Sequence, residues 1–250
     1  MRGAARRVNG YARYALYFAP DPASELWRRG SAWLGRDAAT GRALPRMPVP
    51  ELDGLNLDRL TAAPRFYGLH GTLRAPFEPA GRDTESRLLA AVDDFCGAWE
   101  PFSVPFAVDA IGDFLALRPR LRSPELQALH EACLHACEPF RAALGPDDLA
   151  RRRQARLTPR QDALLECWGY PYVEEEFRFH VTLTSRIVGA STFERVRGAL
   201  EHLFGDLLAR PLPVEGLGLF AQASRDAPFV LLHWARFRGV AAPAADARWG

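Results

Sequence analysis

The alternation of apolar and polar positions predicts one series of elements twice along this chain. Each series begins with a strand that contains a histidine, His70 within 65–77 or His180 within 176–187, and continues with an amphipathic helix and two more strands. These later elements are predicted at residues 84–100, 104–111 and 114–119 in the first half, and at 191–209, 212–220 and 228–237 in the second. Val104 follows His70 by 34 residues and Val214 follows His180 by 34, so the spacing is repeated as well. We therefore expect the two halves to have the same fold.

Further elements precede and separate the two halves. A strand is predicted at 13–20 and a helix at 24–35, followed by a proline-rich segment at 44–64 that is expected to be a long loop. An insert at about 123–170 carries helix-start signals, because proline follows Ser123 and later Thr158 at the first helical position. Thr158 with Gln161 is a predicted capping box, and Gly169, with proline two residues later, is expected to end that helix. The insert is therefore predicted to be helical.

These patterns predict an α+β fold with one bilobal domain over residues 11–238. Two pseudo-symmetric antiparallel sheets, with helices outside, are expected to meet at a central cleft, and the helical insert is expected between the lobes. The terminal residues 1–10 and 239–250 are expected to be flexible.

The two histidines lie in nearly identical tetrapeptides, His-Gly-Thr-Leu at 70–73 and His-Val-Thr-Leu at 180–183. Because side chains alternate between the two faces of a strand, each histidine shares a face with the threonine that follows it. The other face of the second strand carries Phe177, Phe179 and Val181, which supply the apolar area that drives burial. Both His-x-Thr pairs are thus expected to point away from the helices of their own half. Two matched pairs in a chain with only six histidines indicate a shared function.

The composition is typical of a soluble globular protein. Of 250 residues, 48% are hydrophobic and 25% charged, and no apolar run approaches the roughly 18 residues needed to cross a bilayer. The arginine-containing start lacks the apolar core and the cleavage site of a signal peptide. Four scattered cysteines argue against a disulfide framework. We therefore expect a cytoplasmic protein that does not contact membranes.

All 32 basic side chains are arginine, and the formal net charge is only +2. This balance does not predict a broad surface for long nucleic acids, although the guanidinium group binds phosphate oxygens well. Any anionic partner is therefore expected to be small or held locally. The arginine-rich run at 150–156 is interpreted as the solvated face of a helix, which within the insert could also border the cleft and attract phosphate.

Several motifs resemble those of the 2H phosphoesterase superfamily, which includes RNA 2′-5′ ligase-like proteins and cyclic phosphodiesterases. The paired His-x-Thr motifs carry the general resemblance. Five longer segments are similar to a branch of that superfamily linked to bacterial phosphonate metabolism: YALYFAP, LWRRGSAWLGRDAATG, RFYGLHGTLRAPF, LTPRQDALLECWGYPYV and FRFHVTLTSRI. The likeness spans about residues 11–238, with departures at Gly71, where alanine is more usual, and at Arg74, where lysine is common. It implies a two-lobed fold with a metal-independent cleft that acts on phosphodiesters of ribose-like sugars.

Hydrolysis of a cyclic phosphodiester requires a base that deprotonates water and an acid that protonates the departing sugar oxygen. Histidine can serve as either near neutral pH. We therefore expect His70 and His180 to be the acid–base pair, in an order that the sequence does not assign. The hydroxyls of Thr72 and Thr182 are expected to bind the equatorial phosphate oxygens. No metal and no other cofactor is expected.

Six more side chains are expected to bind substrate. Strand alternation selects three arginines, and three tyrosines could stack on a sugar or base. These residues are Arg178, Arg186, Arg74, Tyr17, Tyr67 and Tyr172. Each also has a purely structural interpretation, since arginines form surface salt bridges and tyrosines fill cores.

One cluster in the insert could bind a metal ion instead. His130, Cys133 and Cys137 share one side of the predicted helix. A tetrahedral zinc site normally takes ligands from two segments, and no partner pair is visible in the sequence. We therefore interpret these residues as part of a buried stripe.

The sequence thus predicts a phosphodiesterase acting on a cyclic diester, either 2′,3′- or ribosyl 1,2-cyclic, or on a 2′-5′ diester. Its expected partner is a small phosphorylated sugar or nucleotide, and no obligate protein partner is predicted. Two alternatives stay open. The same site could act as an RNA end ligase on short RNA, or the chain could be a non-catalytic module that binds a nucleotide or RNA.

Overall fold

The computed structural model describes residues 10–81 and 83–239, which form helices and antiparallel strands. The strands are β1 (Arg13–Phe18), β2 (Gly71–Phe77), β3 (Phe102–Val104), β4 (Phe106–Ile111), β5 (Phe114–Pro119), β6 (Val181–Thr182), β7 (Leu212–Val214), β8 (Gly216–Gln222) and β9 (Val230–Arg236). The α-helices are α1 (Glu25–Leu34), α2 (Leu57–Leu60), α3 (Ala62–Tyr67), α4 (Thr84–Ala98), α5 (Pro124–Cys137), α6 (Pro146–Arg153), α7 (Pro159–Trp168) and α8 (Ala190–Leu208). The predicted α+β class is confirmed.

The two halves of the chain exchange their paired strands. The order in the main sheet is β4-β5-β6-β2-β1-β8-β9, and every neighbouring pair is antiparallel. The β4–β5 hairpin of the first half therefore lies beside the histidine segment of the second half. The second hairpin, β8–β9, joins the first half through β1. Where two sheets were predicted, the described residues form one seven-stranded sheet, with β3 and β7 as a separate pair.

The two halves of the sheet join where β2 meets β6, at a single residue pair, Gly71 opposite Val181. A Cβ atom on residue 71 would lie 2.6 Å from Cζ of Phe179, so only glycine lets this ring pack against the strand. The Phe179 ring also lies 5.6 Å from the ring of Phe18 in β1 and 5.7 Å from that of Phe106 in β4. The missing side chain thus makes room for an aromatic cluster that connects both halves.

The face of the sheet predicted to be apolar is buried against helices. Phe177, Phe179 and Val181 are all buried, as predicted. Helix α8 packs on β4, α4 on β8 and β9, and α5 on β2. The Trp33 indole in α1 donates a hydrogen bond to the carbonyl of Leu183 at 2.8 Å, which fixes the end of the second histidine segment. Burial of this face directs the neighbouring positions to the opposite side of the sheet.

The strands that contain the histidines are shorter than predicted. Helix α3 takes up the residues just before the first histidine, where a strand was predicted. It ends at Gly68, whose φ of +85° turns the chain. His70 then lies one residue before β2, and His180 lies one residue before the two-residue strand β6. The histidines are therefore at strand ends rather than within strands.

The proline-rich segment 44–64 is not a continuous loop, so that prediction was wrong. It contains a 3-10 helix at Pro50–Leu52, helix α2 and the start of α3. The side chain of Asn56 accepts a hydrogen bond from the backbone N–H of Arg59 at 2.9 Å and thereby caps α2. Prolines at helix starts are compatible with this arrangement.

The predicted helical insert contains α5, α6 and α7. Ser123 caps α5, and Thr158 with Gln161 forms the predicted capping box at the start of α7. The predicted flexible termini, 1–10 and 239–250, lie outside the described residues except for residues 10 and 239. None of the described helices combines the length and the apolarity that spanning a membrane requires.

Candidate active site

One cavity of about 460 Å³ is lined by both His-x-Thr pairs. Its volume falls in the range of roughly 300–1,000 Å³ that is typical of small-molecule sites. The other polar side chains in its lining are Arg13, Tyr17, Tyr67, Arg151, Arg152 and Tyr170. No carboxylate of the described residues lines it. The cavity therefore suits an anionic small molecule.

The antiparallel register brings the two His-x-Thr pairs together. Gly71 and Val181 are direct partners, so extending this register by one residue places His70 opposite Thr182 and Thr72 opposite His180. Diagonal neighbours in such a pair are roughly 7–8 Å apart, with their Cβ atoms somewhat closer, which is the separation expected for the two histidines. Between each histidine and threonine lies Gly71, which has no side chain, or Val181, which is buried in the core. The histidines and threonines therefore share the opposite face of the sheet.

Both imidazoles are held by the same backbone hydrogen bond. Nδ1 of His70 lies 2.9 Å from the carbonyl oxygen of Gly68, and Nδ1 of His180 lies 2.7 Å from that of Arg178. Because a carbonyl oxygen can only accept, Nδ1 carries a proton in each ring and donates it. In the neutral rings the free lone pair is then on Nε2. Neither Nε2 atom has a hydrogen-bond partner among the described residues, so both are available to a substrate.

Aromatic rings surround the first histidine. The centroid of the His70 ring lies 4.2 Å from that of Tyr17 and 5.5 Å from that of Tyr67. The pKa of His70 is lowered to about 4, mainly by burial; the bond to the carbonyl of Gly68 opposes this shift and the nearby His180 adds to it. His70 is therefore neutral near pH 7 in the free protein.

The second histidine has different neighbours. Its ring centroid lies 6.1 Å from that of Phe114. Burial lowers the pKa of His180, the bond to the carbonyl of Arg178 raises it, and the positive charge of Arg118 lowers it. A bound phosphate would oppose these effects, because its negative charge stabilises the imidazolium form.

The two threonines of the repeated motif have free hydroxyls. Thr72 and Thr182 are partly buried, and no described residue forms a hydrogen bond with either hydroxyl. Thr184, two residues further along, is fully buried, and its hydroxyl accepts a hydrogen bond from the backbone N–H of Leu115 at 2.9 Å. The first two hydroxyls are thus available to a ligand, whereas the third is used by the fold.

The two predicted tyrosines that line the cavity differ in depth. Tyr17 is fully buried, and its hydroxyl has no hydrogen-bond partner within the described part of the chain. Tyr67 is partly buried and stacks on the ring of Phe229 at 5.3 Å. A buried hydroxyl without a partner is costly, so the Tyr17 hydroxyl is a candidate ligand contact.

Arg74, which was expected to bind substrate, lies under the insert instead. Its side chain is 1% exposed, and its guanidinium forms an ion pair with Glu138 at 2.9 Å and donates to the carbonyl of Trp168 at 2.9 Å. A buried arginine with these partners connects β2 to α7 and to the segment after α5. It does not line the cavity with the histidines.

Three other expected binding residues also lie away from this cavity. Arg178 donates to the backbone carbonyls of Glu175 and Phe177, at 2.6 and 2.7 Å. The Arg186 side chain is 83% exposed and forms an ion pair with Asp113. Strand alternation assigned both arginines to the histidine face, but β6 ends at Thr182, and alternation does not hold outside a regular strand.

Tyr172 is the third of these residues. It is exposed, and its ring packs edge-on against that of Tyr170, with centroids 5.5 Å apart. Tyr170, which the sequence did not single out, lines the cavity in its place. It follows the end of α7 at Gly169, where no periodic pattern identifies an inward-facing side chain.

The arginines of the cavity had weaker sequence signals. Arg13 shares a strand face with Ala15 and Tyr17, so alternation in β1 could have identified it. Arg151 and Arg152 belong to the arginine-rich run that was expected mainly on a solvated helix face. The structure places both in the lining of the cavity.

The cluster considered for zinc is a packed core feature. His130 uses both ring nitrogens, since Nδ1 bonds the carbonyl of Leu73 at 2.7 Å and Nε2 accepts from the backbone N–H of Glu174 at 3.2 Å. Cys133 and Cys137 are buried beside it, and burial raises their pKa values. In residues 10–81 and 83–239 no group of three or more histidine, cysteine or acidic side chains has the geometry to hold a metal ion.

The chain is similar to one described protein family and to two curated relatives. Residues 72–230 match the model of a family described as "Protein of unknown function (DUF1045)". The chain is 37% identical over 228 residues to a protein of Janthinobacterium sp. (strain Marseille) named "Ribose 1,5-bisphosphate phosphokinase PhnN", covering 90% of the chain and 50% of the relative.

A protein of Laribacter hongkongensis (strain HLHK9) with the same name is 38% identical over 221 residues, covering 88% of the chain and 50% of the relative. The chain thus spans about half the length of these curated relatives.

Proposed function

Because the chain belongs to the DUF1045 family, whose function is unknown, we propose its function from the geometry of the cavity. We propose a phosphodiesterase of the 2H phosphoesterase type that hydrolyses a cyclic diester, either 2′,3′- or ribosyl 1,2-cyclic, or a 2′-5′ diester. One observation carries this proposal. The register of β2 and β6 sets two imidazoles with free Nε2 atoms beside two threonines with free hydroxyls.

In the proposed reaction, Nε2 of one neutral histidine takes a proton from water as the water oxygen attacks phosphorus. The bond from phosphorus to one sugar oxygen breaks, and Nε2–H of the other, charged histidine protonates that oxygen. The product is an acyclic phosphate ester when the substrate is cyclic. The hydroxyls of Thr72 and Thr182 donate to the equatorial oxygens, where negative charge accumulates. Two imidazoles thus supply both proton transfers, and the proposed steps use no metal ion.

We assign the base to His70 and the acid to His180. A pKa of about 4 keeps His70 unprotonated at neutral pH, as a base requires. Its aromatic surroundings disfavour the charged form. His180 lies close to His70, and only one of two adjacent imidazoles is readily charged. Since burial keeps His70 neutral, His180 is the ring that carries the proton when the phosphate binds. The reverse reaction exchanges these roles.

We infer that the kinase activity in the relatives' name belongs to the part of those proteins that this chain does not match. Well-known phosphoryl-transfer sites, both the P-loop type and the protein-kinase type, use a lysine that contacts the phosphates. The present chain contains no lysine. The shared name and the resemblance to the phosphonate-linked branch instead favour a phosphorylated ribose as the substrate, in the same metabolic context.

The decisive experiment incubates the protein with nucleoside 2′,3′-cyclic phosphates and with ribose 1,2-cyclic phosphate in the presence of EDTA, and follows phosphorus NMR. Ring opening that both histidine variants abolish supports the proposal. Binding without turnover would favour a non-catalytic module, and joining of RNA ends would favour a ligase. Phosphorylation of ribose 1,5-bisphosphate with ATP would contradict the assignment of the kinase activity to another region.

A further inference from the structure

Three consecutive arginines of α6 have different partners. Arg153 forms ion pairs with two carboxylates of α7, and Arg151 forms one with Asp148 at 2.6 Å. Arg152, between them, has no carboxylate within ion-pair distance among the described residues, and its buried Nε has no hydrogen-bond partner there. Its guanidinium lies 5.4 Å from the centroid of the Tyr170 ring. Arg152 therefore presents an unbalanced charge in the wall of the cavity.

A second unbalanced arginine lines the same cavity from the sheet. Nε of Arg13 donates to the uncharged amide oxygen of Gln222 at 2.7 Å, and no described carboxylate lies within ion-pair distance. Burial lowers the pKa of Arg152, Tyr170 and Asp148 raise it, and the positive charges of Arg151 and Arg13 lower it. All three arginines line the same cavity, and Asp148 already pairs with Arg151 and Arg225. The three guanidinium groups remain charged, because the usual pKa of arginine is far above neutral pH.

The positive charge of these arginines is more than the negative charge of the reacting diester can balance. A phosphodiester carries one negative charge, and in the proposed reaction a protonated histidine lies beside it. Two further guanidinium groups without carboxylates match a phosphomonoester, which carries a charge of about −1.5 to −2 near pH 7. Guanidinium groups also bind phosphate oxygens in a bidentate manner. The buried, unpartnered hydroxyl of Tyr17 lies in the same lining and can donate to such a group.

We propose that Arg13 and Arg152, with Arg151 at the rim, form a second anion site that binds a phosphomonoester carried by the same molecule as the reacting diester. This inference rests on the proposed function and specifies its substrate class, a sugar cyclic phosphate with a terminal phosphate. The helical insert supplies half of this site through α6, so it contributes to substrate selection as well as to packing.

The test compares kcat/KM for ribose 1,2-cyclic phosphate with and without a 5-phosphate. We expect the wild-type protein to prefer the 5-phosphorylated substrate. The substitutions Arg152→Gln and Arg13→Gln should each reduce this preference by about 10- to 100-fold, the effect of losing hydrogen bonds to a charged group. A preference that stays within about twofold of wild type in both variants overturns the inference.

The matched control is Arg153→Gln. It removes an identical side chain from the next position of α6, but one that pairs with Asp162 and Glu166 outside the cavity lining. The substrate preference should not change in this variant. A loss equal to that in Arg152→Gln would point to the general charge of the helix and overturn the proposed site.

A binding measurement separates this inference from the proposed reaction. Calorimetry on the double variant His70→Ala/His180→Ala measures the binding of ribose 5-phosphate, with ribose as the uncharged reference. Binding of ribose 5-phosphate that Arg152→Gln weakens at least tenfold supports the second site, even if no cyclic phosphate is ever hydrolysed. Hydrolysis without preference, together with no binding of ribose 5-phosphate, overturns the second site and leaves the phosphodiesterase proposal intact.

Discussion

His70 and His180 make the same hydrogen bond to a carbonyl two residues earlier, yet their rings have different neighbours. His70 packs between Tyr17 and Tyr67, whereas His180 lies near Phe114 and an arginine. The two segments have equivalent backbone positions because they pair with each other in one antiparallel register. The strands and helices that surround the two histidines differ. Similar placement with different surroundings shifts the two pKa values through different neighbours, and the proposed acid–base pair depends on that difference.

The largest expected effect comes from removing either imidazole. His70→Ala and His180→Ala should each lower kcat for cyclic phosphate hydrolysis by about 10²- to 10⁴-fold, since each supplies one proton transfer. Stopped assays with a ribose cyclic phosphate measure the loss. His202→Ala, an exposed histidine on α8 away from the cavity, serves as the control and should retain activity. Near-full activity in one of the first two variants would remove that histidine from the mechanism.

The threonines test whether both copies bind the phosphate. Thr72→Val and Thr182→Val keep the shape of the side chain and remove the hydroxyl, so each should lower kcat by about 10²-fold. Thr184→Val is the matched control, because this hydroxyl bonds the backbone of Leu115 rather than facing the cavity. It should lower the free energy of unfolding by about 1–3 kcal/mol and change kcat little. If only one of the first two variants loses activity, the copies are not equivalent at the phosphate.

The pH dependence of kcat/KM measures the difference between the two rings. Activity should fall as pH decreases through about 4, where His70 becomes protonated. It should also fall as pH rises past the pKa of His180, which burial holds below its ordinary value of 6.5. The optimum is therefore expected between roughly pH 4 and 6.5. A single optimum above pH 8 would contradict these shifts.

The pH profile of the residual activity in each single variant then shows which histidine is the acid and which the base. In His70→Ala the decrease at low pH should disappear, and in His180→Ala the decrease at high pH should disappear. The opposite pattern would exchange the acid and the base. Circular dichroism over the same pH range verifies that each variant stays folded.

The smallest expected effect concerns the residue between histidine and threonine, which is glycine in one copy and valine in the other. Gly71→Ala would place a Cβ 2.6 Å from Cζ of Phe179 and should lower the free energy of unfolding by about 1–3 kcal/mol. Gly198→Ala, in open space on α8, should instead raise it by about 0.5–1 kcal/mol. Denaturant unfolding measures both. A stabilising effect at residue 71 would mean that the aromatic cluster at the junction can shift.

The repeated helices and hairpins were predictable because each has its own periodic pattern. The β5 strand and the α7 helix agree with the predicted boundaries, since turn residues and caps mark both ends. The length of β6 was not predictable, because the alternation of apolar and polar residues over 177–184 looks like a strand whether or not those residues pair with a neighbouring strand. That error also misassigned Arg178 and Arg186, which lie where the alternation no longer applies.

The sequence by itself determined the groups on which the proposed chemistry rests, namely two His-x-Thr motifs, the apolar face behind them and a set of basic side chains that are all arginine. It could do so because alternation and repetition are local properties of the chain. Only the tertiary structure decided that the halves exchange hairpins, that the motifs are joined at Gly71 and Val181, and that arginines of β1 and α6 line the same cavity. Those outcomes depend on contacts between residues far apart in the chain, where packing and burial, rather than any local pattern, select the arrangement.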